Sequence, residues 1–166
     1  NKPDWSKEEK KIVFRYLMKF GVPETNNGEY DYGEFWKQSG LSETKSKESV
    51  RFYVENYLKQ CENPDEDNVK KLTASRVLLR FNAMHQLRQI FKKDKEELIS
   101  LFDSYHWKTL PHSWNGELEY QFFRQILDHG FGSTDEIICC DPFKKILTNQ
   151  THAYLHKEPS IAKRIQ

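Results

Sequence analysis

The chain has 166 residues, room for one compact domain or two small ones. Apolar residues make up 37%, charged residues 31% and aromatic residues 14%, a polar balance whose aromatic share argues against disorder. A formal net charge of +1 gives no global case for a nucleic-acid or membrane partner, and no run approaches the roughly 20 apolar residues of a membrane span.

The first predicted helix starts at Ser6, where Ser6-Lys7-Glu8-Glu9 has the form of a capping box. Behind it Ile12, Val13, Tyr16, Leu17 and Phe20 recur at i, i+3 and i+4 and share one face. Gly21 stops that helix, and a polar loop follows over residues 22–31. Phe35 and Trp36 sit on a short second helix. A third starts between Ser42 and Ser46, carries Val50, Tyr53, Val54, Tyr57, Leu58 and Cys61 as its apolar stripe, and ends before Pro64, which biases Asn63 away from helix. Helices this short bury a core by stacking rings, each removing roughly 150–250 Å² from water. Trp5, Tyr16, Phe20, Phe35, Trp36, Tyr53 and Tyr57 are therefore expected to converge.

An acidic linker over residues 62–67 leads into a strongly helical region. Val77, Phe81, Met84, Leu87, Ile90 and Phe91 form one broad stripe. Leu98, Ile99, Phe102 and Tyr105 follow on a helix that is separate or broken near Asp94. Leu110-Pro111-His112-Ser113 is a break. From Trp114 a further helix carries Leu118, Phe122, Ile126 and Leu127 and ends at Gly130. Ile137 and Ile138 belong to a short helix, and Asp141-Pro142-Phe143 opens another, since proline suits the first helical position. The expected fold is all-α.

Charge is unevenly placed. Residues 68–93 carry Lys70, Lys71, Arg76, Arg80, Arg88, Lys92 and Lys93 and no acid. Arg76, Arg80, Arg88 and Lys92 recur at multiples of four and are expected on neighbouring turns of one face, able to neutralise consecutive phosphates and release counterions. The plain alternative is a solvated face with no partner. On the third helix Lys45, Lys47 and Arg51 alternate with Glu43, Glu48 and Glu55, a balance that opposes close approach to a duplex. That helix is better suited to a scaffold or a histone-side contact than to reading a groove.

Cys61, Cys139 and Cys140 are an odd set with two adjacent members, which points to a reducing compartment and not to a disulfide framework. Cys139-Cys140 with His152 and His156 is a poor zinc pattern, because paired zinc cysteines want two to four residues between them. Asn149-Gln150-Thr151 fits a glycosylation acceptor, a triplet common by chance. His85, His106, His112 and His129 have no serine or cysteine partner at a recognisable spacing, and Gly130-Phe131-Gly132 is too short for a phosphate loop. No catalytic constellation, cofactor or metal is expected. The chain opens at Asn1 without methionine or targeting motif, so it is expected to be a piece of something larger.

Three stretches together resemble the SANT–SLIDE region of chromodomain-helicase-DNA-binding (CHD) chromatin remodellers, most closely the Kismet-type subfamily. They are Trp5-Ser6-Lys7-Glu8-Glu9 through Tyr16, Phe20-Gly21-Val22 and Tyr30-Asp31-Tyr32 to Phe35; then Ala74-Ser75-Arg76-Val77-Leu78 through Leu87-Arg88; then Leu110-Pro111, Trp114, His129-Gly130, Thr134-Asp135, Ile138 and Asp141-Pro142. The resemblance implies a SANT/Myb-like three-helix module over residues 1–62, connecting helices over 63–109, and a SLIDE-like module with tail over 110–166. Of the SLIDE-like module's third helix only Lys144 and Lys145 are basic. The implied function is nuclear and non-catalytic: contact with linker duplex DNA beside the nucleosome, within an ATP-dependent remodeller whose motor lies outside this chain. A histone tail or another remodeller domain is the alternative partner. Neither a membrane nor a small-molecule substrate is expected.

Overall fold

The computed structural model describes residues 5–65, 67, 69–104 and 115–131. Those residues form α1 (Lys7–Phe20), α2 (Tyr32–Gln38), a 3-10 turn (Leu41–Glu43), α3 (Lys47–Glu62), α4 (Lys71–Ile90), α5 (Lys95–Asp103) and α6 (Gly116–His129). Among them there is no strand, only an isolated antiparallel bridge between Glu24 and Tyr30. The all-α expectation holds for this part of the chain. Trp107, Leu110-Pro111, Trp114, Ile137, Ile138, Cys139, Cys140, Asp141-Pro142-Phe143, Lys144, Lys145, His152 and His156 lie outside the described residues.

The chain divides into two units, Asn1–Asn82 and Ala83–Gln166. In the first, local chemistry sets each helix end. The Glu9 amide donates to the Ser6 hydroxyl at 3.1 Å while the Ser6 amide donates to the Glu9 carboxylate at 3.0 Å, a complete capping box. Gly21, at φ 66°, takes a positive-φ conformation that favours glycine and ends α1. Asp31 caps α2 by accepting from the Glu34 amide at 2.9 Å, and Ser46 caps α3 by accepting from the Ser49 amide at 3.2 Å.

The centre of this unit is largely aliphatic. Val13, Leu17, Val22, Leu41, Val50 and Val54 are buried around Phe35. Of the aromatic residues expected to converge, Phe35 alone is fully buried; Trp5, Tyr16, Trp36, Tyr53 and Tyr57 pack around the centre half-exposed. Phe20 joins through Tyr16, their rings 5.1 Å apart. The aromatic residues do converge, and their half-exposure has a physical cause: tyrosine and tryptophan bury a ring but keep a polar tip that needs a partner or water. Trp36 is the clearest case, its indole N–H donating to the Lys45 carbonyl at 2.6 Å. The loop expected to be polar opens with a core residue, Val22, and then folds into a tight turn in which the Thr25 amide donates to the Glu29 carbonyl at 2.7 Å.

A second cluster in the same unit joins Met18 of α1 and Cys61 of α3 to Val69, Ala74 and Val77. The first half of α4 therefore completes the three-helix core. Arg80 fastens it, one guidinium N–H donating to the Met18 carbonyl at 3.1 Å near the end of α1.

In the second unit Ala83, Met84, Leu87 and Leu98 are buried, as are Leu118, Phe122, Phe123 and Ile126 of α6. Asp94 caps α5 and Asn115 caps α6. The two helices pack closely: the Phe102 and Phe123 rings are 5.7 Å apart, and the Gly116 amide donates to the Asp103 carboxylate at 2.5 Å. A Cβ on Gly116 would strike the Ile99 carbonyl and the Asp103 carboxylate, so the contact needs glycine. Gly130, at φ 95°, ends α6 as expected.

Candidate nucleic-acid interface

The acid-free segment is built as α4 and the turns flanking it. Lys70 and Lys71 are exposed at its start, where the Ala74 amide donates to the Lys70 carbonyl at 2.9 Å. Arg76 is exposed one turn further on. Arg80 is half-buried, with one N–H committed to Met18. These cations belong to the first unit, and Arg88, Lys92 and Lys93 belong to the second. Arg88 is half-buried; Lys92 and Lys93 are exposed, and the Lys92 ammonium donates to the Gln89 side chain at 3.0 Å.

The single stripe expected over Arg76, Arg80, Arg88 and Lys92 is not formed. The helix stops at Ile90, and Lys92 and Lys93 lie on the turn after it, whose amides donate to the Gln89 and Ile90 carbonyls. The four-residue row is also interrupted, since the position between Arg80 and Arg88 is the buried Met84. Lys144 and Lys145 lie outside the described residues.

The third helix of the first unit is charge-balanced through specific pairs. Lys45 reaches the Glu9 carboxylate at 3.6 Å and sits 5.3 Å from the Trp5 ring centre, with 8% of its side chain exposed. It is a structural cation, tying the segment before α3 to the cap of α1. The Arg51 guanidinium meets the Glu55 carboxylate one turn on at 3.0 Å and lies 5.8 Å from the centre of the Tyr32 ring. Glu43, Lys47 and Glu48 are exposed.

The titrating groups follow the same packing. The Ser6 amide holds the Glu9 carboxyl below its ordinary value, with help from the Thr44 and Ser6 hydroxyls and Lys45. Burial pushes the Tyr32 phenol up to about 12, with the Glu55 charge adding to it and Arg51 opposing. Burial also raises Tyr53 and Tyr57. The buried Cys61 thiol is raised by desolvation, which keeps it protonated and unreactive. Among the described residues no three His, Cys, Asp or Glu side chains converge as a metal site. No helix among them is long and apolar enough to cross a membrane.

The sequence reading passed over one set of cations. Lys7, Lys10, Lys11, Arg15 and Lys19 are all exposed on α1. Glu8 and Glu9, lying among the first of them, make the local charge look mixed. The signal was the spacing of four from Lys7 to Lys19.

No protein-family model, curated protein or solved structure matches the chain.

Proposed function

We propose that the chain is a non-catalytic, SANT–SLIDE-like DNA-binding domain of an ATP-dependent nucleosome remodeller. It contacts linker duplex DNA through phosphates, without reading sequence, in the nucleus. One observation carries the proposal: residues 68–93 hold seven Lys and Arg side chains and no acid, and Lys70, Lys71, Arg76, Lys92 and Lys93 among them are exposed. A first unit of α1, α2 and α3 completed by the start of α4 is compatible with the reading, and the motif stretches that resemble the CHD family support it. Phosphate contact accounts for the absence of an obvious base-reading set, because such contacts position a protein on DNA without specifying sequence.

The test is duplex binding by the whole chain, titrated with salt. The exposed cations of residues 68–93 should by themselves contribute about −3 to −5 to the slope of log affinity against log salt, at roughly 0.9 for each phosphate neutralised. Changing Lys70, Lys71 and Arg76 together to alanine should make the slope shallower by about two to three units. Arg80 is left intact in that variant because it holds α4 against α1. A salt-independent or undetectable interaction with duplex would sink the proposal.

A second reading, capture of a basic histone tail, is favoured by exposed Glu43 and Glu48. The Glu55 carboxylate is engaged by Arg51 and contributes less. Retained peptide capture after Glu43→Gln and Glu48→Gln together would remove this reading.

A further inference from the structure

We infer that the exposed face of α1 is a second phosphate-binding ridge for duplex nucleic acid, formed by Lys7, Lys11, Arg15 and Lys19. The inference rests on the duplex-binding reading above but places contact on a different helix.

The four residues are spaced by four along α1, and all are exposed. Each step advances about 6 Å along the axis and turns about 40°, so the row follows one inclined surface ridge of the helix. Its length is about 18 Å. Lys10 flanks the row and is exposed too. The opposite face carries the core residues Val13 and Leu17, so α1 cannot roll to hide the charges.

Among the described residues no ion pair is formed along this ridge. On α3 the residue four after Arg51 is Glu55, and on α6 the residue four after Arg124 is Asp128; both make ion pairs, at 3.0 and 3.6 Å. On α1 every corresponding position holds another cation. Like charges at this spacing repel each other. The acids of α1 are confined to its first turn, where the helix dipole favours them. Glu9 is occupied by Ser6 and Lys45, which leaves Glu8 as the exposed acid beside the row.

A regular row of cations fits a regular row of anions. Each strand of a duplex presents a phosphate about every 3.4 Å of axis, so a row of about 18 Å spans enough of them for every cation to find one. The ridge ends at Lys19, next to Met18, whose carbonyl holds Arg80. Arg80 therefore stands at the end of the row, and Arg76 lies one turn away on α4.

The experiment compares the whole chain with a variant carrying Lys7→Gln, Lys11→Gln, Arg15→Gln and Lys19→Gln, after circular dichroism confirms equal helicity. Duplex affinity is measured across a salt series. The expected result is a slope shallower by about three to four units, with a Lys7→Arg, Lys11→Arg, Lys19→Arg variant keeping the full slope. An unchanged slope in the glutamine variant, alongside normal binding by the parent chain, overturns the ridge while leaving the duplex reading intact. If the parent chain binds no duplex, both fall. Poly-glutamate is the third arm: capture of it by the parent and not by the glutamine variant, with no duplex bound, assigns the ridge to an acidic protein and overturns the nucleic-acid partner.

Discussion

Lys45 shows how a side chain's role depends on what lies across from it. In the sequence it is one of several alternating charges before α3. In the fold its ammonium faces Glu9 and Trp5, and its carbonyl receives the Trp36 indole N–H. No periodic pattern reveals that, because the partners are 9 to 40 residues away along the chain. Trp36→Phe should keep the ring and lose the hydrogen bond, at about 1 kcal/mol. Trp36→Ala removes the ring too and should cost up to about 3–5 kcal/mol. Chemical denaturation of the two variants checks the order; a Trp36→Phe variant as stable as the parent would mean that the bond to Lys45 contributes nothing. The tyrosines give a pH test. Tyr32, Tyr53 and Tyr57 have phenols raised by burial, so the folded state binds their protons more tightly than the unfolded state does. That contribution is intact below the ordinary phenol value near 10 and is lost as pH climbs toward about 12, the Tyr32 value. Tyrosinate absorbance should therefore rise together with unfolding, and independent low-pH titration of all three would contradict the packing.

At the scale of the element, helix ends were legible and helix roles were less so. Ser6 acts through a hydroxyl that reaches its own first turn, and Gly21, Pro64 and Gly130 act through their backbone preferences, which is why local sequence announces them. The end of α4 at Ile90 has no such signal; the chain simply turns through Phe91, Lys92 and Lys93 before Asp94 caps the next helix. The expected cationic stripe was divided there. The cations of α1 have a clear period, but Glu8 and Glu9 in the first turn make the local composition look mixed. Glycine at the start of α6 is another feature that sequence understates. Gly116→Ala should destabilise the α5–α6 pair by about 1–3 kcal/mol, since the added methyl meets a carbonyl and a carboxylate. Gly33→Ala is the contrast, its nearest obstacles being the Asp31 and Lys47 side chains. If Gly116→Ala melts with the parent, the approach of the two helices is looser than described.

At the scale of the whole chain, the boundary suggested by the acidic linker does not coincide with the boundary of the first unit. A break at residue 62 follows from Asn63-Pro64, which does end α3. The unit nevertheless runs to Asn82, because Met18 of α1 and Cys61 at the end of α3 are not covered without α4. Met18 and Cys61 would be left facing water in a fragment of residues 1–62, and Val69, Ala74 and Val77 would be missing from their cluster. Complete burial of a valine or methionine side chain contributes about 1.5–3 kcal/mol, so losing this cluster should cost several kcal/mol, a large part of the margin of a small domain. The Arg80 bond to the Met18 carbonyl would go with it. Fragments of residues 1–62 and 1–82 should therefore separate clearly in urea: the longer should unfold in one cooperative step, and the shorter at much lower denaturant or with no transition. Coincident midpoints would show that the three helices are self-sufficient and that the division at residue 62, taken from the resemblance, marks the folding unit after all.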